Sequence, residues 1–424
     1  MIVATRLWRS SFIVIGLLLM HVVPATAMTW DNRYFPWIDQ LYTGSDSRDG
    51  NIHCQFFFLT GGDAYRYQPR SIKEEQIITY PELWGELDLA VVGTSMVKAG
   101  LSNPLPDDWL WLSEIKACMP ASLEGQGIML SGQVPINNRF GFGGSVVMMK
   151  LNSFVSVVPD QDTIDKLSLK TPGNQAIFTQ TLKKIYQGIG INSTASQQVG
   201  VGDIVLYAHL FDTHEYKYKF RKLDWGIWAG VIIPSGLKQD PHNLASIPFG
   251  GQYGGWAWFV APRAEFELRD DLKFGIQGRL TQRLDHCFQG RIPVGKEQVL
   301  FAPIVGKVRV DQGTTFGISA YFVFEDIRAG LGAQMQYTLN VHEHDIFNAN
   351  LHSSDIKPSF VNMNYFSGWT QEYFMFKLFY DIAHDKPWKN RPMAYFSWDI
   401  PMNHTFGRGF AKTHKISIGC NVNF

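Results

Sequence analysis

Histidine, serine and carboxylate side chains meet in one polar stretch of this chain. His342-Glu343-His344 and His352-Ser353-Ser354 both fall within Glu343 to Ser367. A His beside a Ser, oriented by a carboxylate, is an arrangement suited to nucleophilic hydrolysis, and the substrate class considered is lipid. His342 and His344 stand two apart, a spacing that holds a metal only from an irregular loop. Neither finds a third partner in the sequence, so the chain reads as a non-enzyme, with lipid hydrolysis as an alternative. The four cysteines, Cys54, Cys118, Cys287 and Cys420, are far apart and lack metal-ligand spacing. No metal and no other cofactor is expected. In an oxidising compartment two of the cysteines could pair, with the pairing left open.

A larger set of polar groups is periodic. From Gly255 to Arg283, Trp256, Trp258, Val260, Pro262, Ala264, Phe266 and Leu268 take every second place, then Leu272, Phe274, Ile276, Gly278 and Leu280. Arg263, Glu265, Glu267, Arg269, Lys273, Gln277, Arg279 and Arg283 take the places between. The same alternation puts Lys307, Arg309, Asp311, Glu325, Gln334, Gln336, Lys377 and Asp381 opposite apolar neighbours further on, with Asp399 and Lys415 added near the end. Facing a water-filled interior, such charges set selectivity. Nine cations against six acids in this set favour anions slightly. Alternatively they pair across strands and close the interior.

Successive side chains of a strand point to opposite faces, so these elements are strands with one apolar and one polar face. They outrun the ~5–6 residues usual in soluble sheets and suit a tilted bilayer crossing of about 9–11 residues. Trp225, Trp256, Trp258, Tyr337, Tyr380 and Trp398 suit interfacial girdles. Along the chain about fourteen such strands can be counted, or twelve if two early ones fail. Two stretches do not alternate. Residues 63–112 mix helical and strand spacing, and 159–200 contain a helical pattern over Gln175 to Gly188. Both read as partly helical insertions that plug or cap the rest, and Gly236 to Gly254 and Glu343 to Ser367 read as long loops.

The remaining bounds agree. Arg6 and Arg9 precede an apolar run, Phe12 to Met20, and Ala25-Thr26-Ala27 has the form of a signal-peptidase site. No later segment nears 18 apolar residues in a row. The charged fraction is 18%, with 39 Gly and 14% aromatic residues, against ~25% charged in ordinary soluble domains. A net charge of zero gives no case for nucleic acid. The organisation expected is a signal peptide over 1–27, a lead-in over 28–50, and an all-β, single-chain antiparallel transmembrane β-barrel over 51–424 carrying the two insertions.

Lys415-Ile-Ser-Ile-Gly-Cys-Asn-Val-Asn-Phe424 resembles the C-terminal β-signal of bacterial outer-membrane proteins, with Ile416, Ile418, Cys420 and Val422 alternating before the terminal Phe424. The resemblance implies recognition by the barrel-assembly machinery and an outer-membrane address. Gly200-Val-Gly-Asp203, followed by Gly230-Val-Ile-Ile-Pro-Ser-Gly236, resembles the G-x-G-D … G-x-x-x-P-T-G hairpin of meta-pathway phenol-degradation and transporter-like barrels. Here Ser235 stands where that pattern has Thr. These readings favour a passive, porin-like channel for small solutes in contact with outer-membrane lipid. A closed structural or adhesive barrel is the alternative. Nothing in the sequence specifies the solute or an oligomeric state.

Overall fold

The computed structural model describes residues 32–36, 50–65, 78–216, 221–349, 356–384, 386, 388, 390–403 and 406–424. The signal peptide expected over 1–27 lies outside them. Twelve antiparallel strands close into a barrel. They are β1 (Asn51–Gly61), β2 (Ala121–Pro135), β3 (Phe140–Val155), β4 (Ile204–Glu215), β5 (Lys222–Ile233), β6 (Ala257–Arg269), β7 (Leu272–Arg283), β8 (Thr315–Arg328), β9 (Leu331–His342), β10 (Trp369–Asp381), β11 (Arg391–Met402) and β12 (His414–Asn423). Neighbours in sequence pair around the wall, and β12 pairs with β1 from Asn51↔Asn423 to Thr60↔His414. The sheet closes again where β3 meets β4, Val205↔Ser145 through Leu210↔Phe140. A thirteenth strand, Ala195–Val201, pairs with the other half of β3. It lies within the second expected insertion, where no strand was anticipated. The count is thus twelve plus one, not fourteen.

The wall is inverted relative to a soluble sheet. On β12, Ile416, Ile418 and Phe424 are exposed while Lys415, Ser417, Asn421 and Asn423 are buried. On β6 and β7, Trp256, Trp258, Ile276 and Leu280 are exposed, whereas Glu265, Gln277, Arg279 and Arg283 are buried. A closed sheet with an apolar outside and polar inside satisfies every backbone group without water. Strands of about a dozen residues at ~3.3 Å per residue, tilted by ~40°, rise roughly the 30 Å of a bilayer core. Trp256, Trp258 and Trp398 face outward towards one rim, and Trp225 and Tyr380 towards the other. Tyr337 instead sits mid-strand, within reach of Glu372, so it is not a girdle residue.

The two rims differ. One carries the short connections, including the two-residue turns Asp270–Asp271 and Ala329–Gly330, together with Asn51 and the chain's last residue. Gly50 and Phe424 exchange backbone hydrogen bonds there, at 2.8 and 3.1 Å. Every long connection lies at the other rim. In outer-membrane barrels short turns are periplasmic and long loops extracellular, so these are the inner and outer rims. The long connections fold together into a cap over the outer mouth. It contains helices α1 (Leu89–Lys98), α2 (Gln161–Lys166), α3 (Pro172–Ile189) and α4 (Val361–Ser367). It also holds a three-stranded sheet of His286–Ile292, Ile304–Asp311 and Ile346–Asn348. Asp88 caps α1 by accepting from Ala90 N, and α3 ends at Gly190, whose left-handed φ of 71° stops the helix. Both insertions therefore form the cap, and they are partly helical as expected.

The cap has one continuous apolar core, including Trp84, Met96, Ile185, Phe249, Tyr253 and Phe301. That core runs down onto the inward faces of β1, β2 and β3 through Phe57, Leu59, Leu123, Met129, Val147 and Met149. Here the expectation of a wholly polar inner face fails, because the cap rests on this part of the wall. Gly236 to Gly254 likewise is no free loop, since Leu244, Ala245, Ile247, Phe249 and Tyr253 are buried in the cap.

Lumen and capped mouth as the candidate functional site

The lumen is lined by side chains that meet one another. Arg263 pairs with Glu265 at 2.7 Å, Lys273 with Glu325 at 2.8 Å, and Lys415 with Asp399 at 2.9 Å. Tyr321 donates a short hydrogen bond to Glu265. His53 bridges Ser131 at 3.2 Å and the Tyr395 hydroxyl at 2.5 Å. Gln334, Gln336 and Thr338 form a ladder along β9 with steps of 3.1 Å. Lys377 lies over the Tyr395 ring at 4.4 Å, and Arg279 over Phe259 at 3.9 Å. Tyr321, Val323, Phe379, Met393 and Tyr395 cluster inside the inner half. The interior is thus filled and polar for much of its height.

Aromatic side chains on this inner face lie against glycines of the next strand. Tyr207 stands opposite Gly143, Tyr321 opposite Gly275, Phe379 opposite Gly332, and Tyr395 opposite Gly419. A Cβ at any of these four glycines would come within 2.0 to 2.5 Å of the facing ring. Only a residue without a side chain lets the ring lie flat on the neighbouring backbone.

At the outer mouth, residues 32–36 are stitched under the cap. Asn32 Nδ2 donates to Gly250 O at 2.8 Å and Pro248 O at 3.0 Å. Arg33 is fully buried, donates to Phe366 O at 2.7 Å and lies over the Trp84 ring at 4.0 Å. Thr413 Oγ1 donates to Tyr34 O at 2.6 Å, and Gln371 Nε2 to Phe35 O at 3.1 Å. Five residues therefore tie α4, the 248–250 segment, β10 and the start of β12 together.

A second tie is built on the Gly200-Val-Gly-Asp203 and Gly230 to Gly236 stretches. Asp203 sits at the break between the thirteenth strand and β4. Its carboxylate accepts from Gly236 N at 2.9 Å, Gly251 N at 2.9 Å and Arg283 Nη2 at 2.7 Å. Arg283 also donates to Gly255 O at 2.6 Å. A Cβ at Gly250 would lie 2.2 Å from Asp203 Oδ1. The motif is thus a hub joining the barrel wall to the cap.

Closure, the inverted wall and the split between short turns and long loops decide the fold class. This is an outer-membrane-type β-barrel. No protein-family model matches the chain, and no curated protein matches it. Among solved structures it is similar to an outer membrane channel from Pseudomonas putida F1, at 11% identity over 92% of this chain and 100% of that one, with a TM-score of 0.45. It is also similar to a Pseudomonas aeruginosa FadL homologue, at 11% identity over 95% and 98% and a TM-score of 0.34. The NanC porin aligns at 9% identity over 72% and 97%, with a TM-score of 0.29.

Within the barrel, Arg263, Glu265, Glu267, Lys273, Gln277, Arg279, Arg283, Glu325, Gln334, Gln336, Lys377 and Asp381 stand on the inward face of their strands. Asp381 lies at the inner rim, where its carboxylate accepts from Ala383 N at 2.9 Å. Lys307, Arg309 and Asp311 do not line the lumen. They lie on Ile304–Asp311, an eight-residue strand of the cap sheet that is too short to cross a bilayer. Its apolar face, Val308 and Val310, packs into the cap, and its charged face meets water, where Arg309 pairs with Asp285. Arg269 is at the tip of the β6–β7 turn and pairs with Asp271 at 3.1 Å in solvent. The β-signal residues Ile416, Ile418, Cys420, Val422 and Phe424 all point away from the lumen.

The histidine pair also separates. His342 Nδ1 meets Thr315 Oγ1 at 2.7 Å, and its Nε2 meets Asp345 Oδ1 at 3.1 Å. Thr315 and Asp345 are the partners that sequence reading missed, since neither has a periodic signal. All three are buried, and His342 is stacked on Trp369 at 5.3 Å, so this is a clasp between β8, β9 and the cap without an approach for lipid. His344 turns to Asn364 O at 3.0 Å. His352 and Ser354 lie outside the described residues. Among the described residues no group of three or more His, Cys, Asp or Glu is placed to hold a metal ion.

Proposed function

We propose that this protein is a channel of the bacterial outer membrane for small solutes, held shut at its outer mouth by its own loops and N-terminal segment. The observation that carries the reading is the polar inner wall of β8 to β12, leading from the inner rim to a mouth that residues 32–36 tie closed. A barrel needed only as a scaffold could fill its interior with apolar side chains, as small barrels do. The inward charges pair with one another or sit on aromatic rings, so the slight anion preference loses its basis. Uncharged or weakly charged solutes fit this wall better.

Planar-bilayer recording tests the reading. The unaltered chain gives rare openings. Arg33→Ala removes the Trp84 stack and the bond to Phe366 O and raises open probability several-fold. If both stay silent, the channel reading fails and a closed structural barrel replaces it. The C-terminal strand is proposed as the signal read by the assembly machinery. Phe424→Ala is expected to lower the yield of inserted barrel in cells without altering its conductance.

A further inference from the structure

Within the cap lies a cavity with about 620 Å³ between its walls, its open side included. That is within the ~300–1,000 Å³ of small-molecule sites. Trp84, Tyr253 and Phe288 line it together with Leu244, Leu300 and Met363. The Tyr253 and Phe288 rings are 4.8 Å apart, and Trp84 is 6.5 Å from Tyr253. Ring-sized apolar space between aromatic faces favours a flat ligand.

Two polar side chains on this wall are buried and incompletely paired. Arg291 donates through Nε to Pro241 O at 2.7 Å and through Nη1 to Ala302 O at 2.7 Å and Ile189 O at 3.1 Å. Its Nη2 has no partner, and neither has Gln252 Oε1. The guanidinium is therefore fixed by backbone carbonyls with one nitrogen left over. Buried donors are nearly always satisfied, so an unpaired one marks where a ligand oxygen belongs. Burial lowers Arg291 to about 10, which leaves it cationic at neutral pH. Lys238 and Asp240 are the other charged residues of the lining, so the walls sum to one positive charge.

We propose that this cavity binds a small single-ring aromatic carboxylate, with the carboxylate accepting from Arg291 and the ring lying among Trp84, Tyr253 and Phe288. Arginine suits a planar carboxylate better than a point charge does. The inference rests on the channel reading only in making this molecule a solute offered to the mouth. The binding step stands apart from conduction.

Calorimetric titration of the full chain in detergent at neutral pH tests it, with benzoate and its neutral isostere benzamide as probes. Benzoate is expected to saturate one site and to bind roughly tenfold tighter than benzamide, the scale of one charge-assisted hydrogen bond. Arg291→Gln removes that advantage and leaves benzamide binding in place. Leu300→Phe fills the cavity and abolishes both, whereas Lys307→Ala on the exposed face of the cap sheet changes neither. The comparison of the two probes on the unaltered chain decides the matter without any variant. Equal affinities, no saturable benzoate heat, or full binding by Leu300→Phe each overturn the proposal. A chain that binds benzoate as described but never conducts would sink the channel and leave the cavity standing. One that conducts without binding would do the reverse.

Discussion

Replacing Asp203 with Ala should loosen the cap from the wall. The carboxylate takes three hydrogen bonds, from Gly236 N, Gly251 N and Arg283 Nη2. Asp203 and Arg283 expose only 1% and 2% of their side chains. Alanine leaves the guanidinium buried with carbonyl partners alone, and strands two buried N–H groups. Breaking one side of a buried pair costs roughly 3–5 kcal/mol, and each stranded donor about 1–3 kcal/mol. These effects overlap at one carboxylate, so the expected total is about 4 kcal/mol, not the sum. The loss is local, since the strands away from the hub keep their ladders. Limited proteolysis of the folded barrel should cut within 236–254 at least a hundredfold faster, whereas urea unfolding of the barrel shifts less. Asp203→Asn keeps one acceptor and falls between. Equal cleavage rates for Asp203→Ala and the unaltered chain would refute the hub as the tie between cap and wall.

Three more outcomes follow from the same geometry. Ile418→Arg puts a charge on the outward face of β12 and should cost ~2–4 kcal/mol near the midplane, read as a lower urea midpoint for refolding into vesicles. Ser417→Ala, one residue away but inward, should shift it by less than about 1 kcal/mol. His286, in the cap sheet, is held below the ordinary histidine range by burial, with Lys238 and Arg283 adding to the effect. The unfolded cap binds this proton more readily than the folded one, so cap stability is full above the free-histidine value of about 6.5 and falls as pH drops below it. Proteolysis of 284–312 should accelerate between pH 7 and 5, and His286→Gln should flatten that profile. Gly275→Ala, which brings a Cβ within 2.0 Å of the Tyr321 ring, should lower the urea midpoint and disturb the Tyr321–Glu265 bond, read as a changed tyrosine near-ultraviolet signal.

Much of the wall was legible because period two survives wherever both faces are long. Trp256 to Arg283 folds as the sequence implies, apolar side out and polar side in. Alternation does not say where the water is, and this explains the error at Lys307, Arg309 and Asp311. A short cap strand buries its valines and wets its charges, giving the same pattern with the opposite meaning. Length separates the two cases, eight residues against the twelve to fourteen of β6 to β9. The thirteenth strand was hidden because Ala195–Val201 is mostly polar. The cap was the least legible part. Its ties run between residues hundreds of positions apart, such as Arg33 with Phe366, and they use backbone carbonyls that leave no trace in composition. Asp203 was visible only as turn chemistry, while its reach to Gly251 and Arg283 depends on the fold.

The glycines beneath Tyr207, Tyr321, Phe379 and Tyr395 bear on the bore of the barrel. Each ring is parked flat on the wall because its neighbour has no side chain. The free cross-section is therefore governed by the smallest residues of the lining, not the largest. A single methyl group added at Gly275 or Gly419 would tip a whole phenol ring inward. Diameter in such a wall can be retuned over evolution by one-carbon steps at glycines, with every aromatic, charge and strand register left in place.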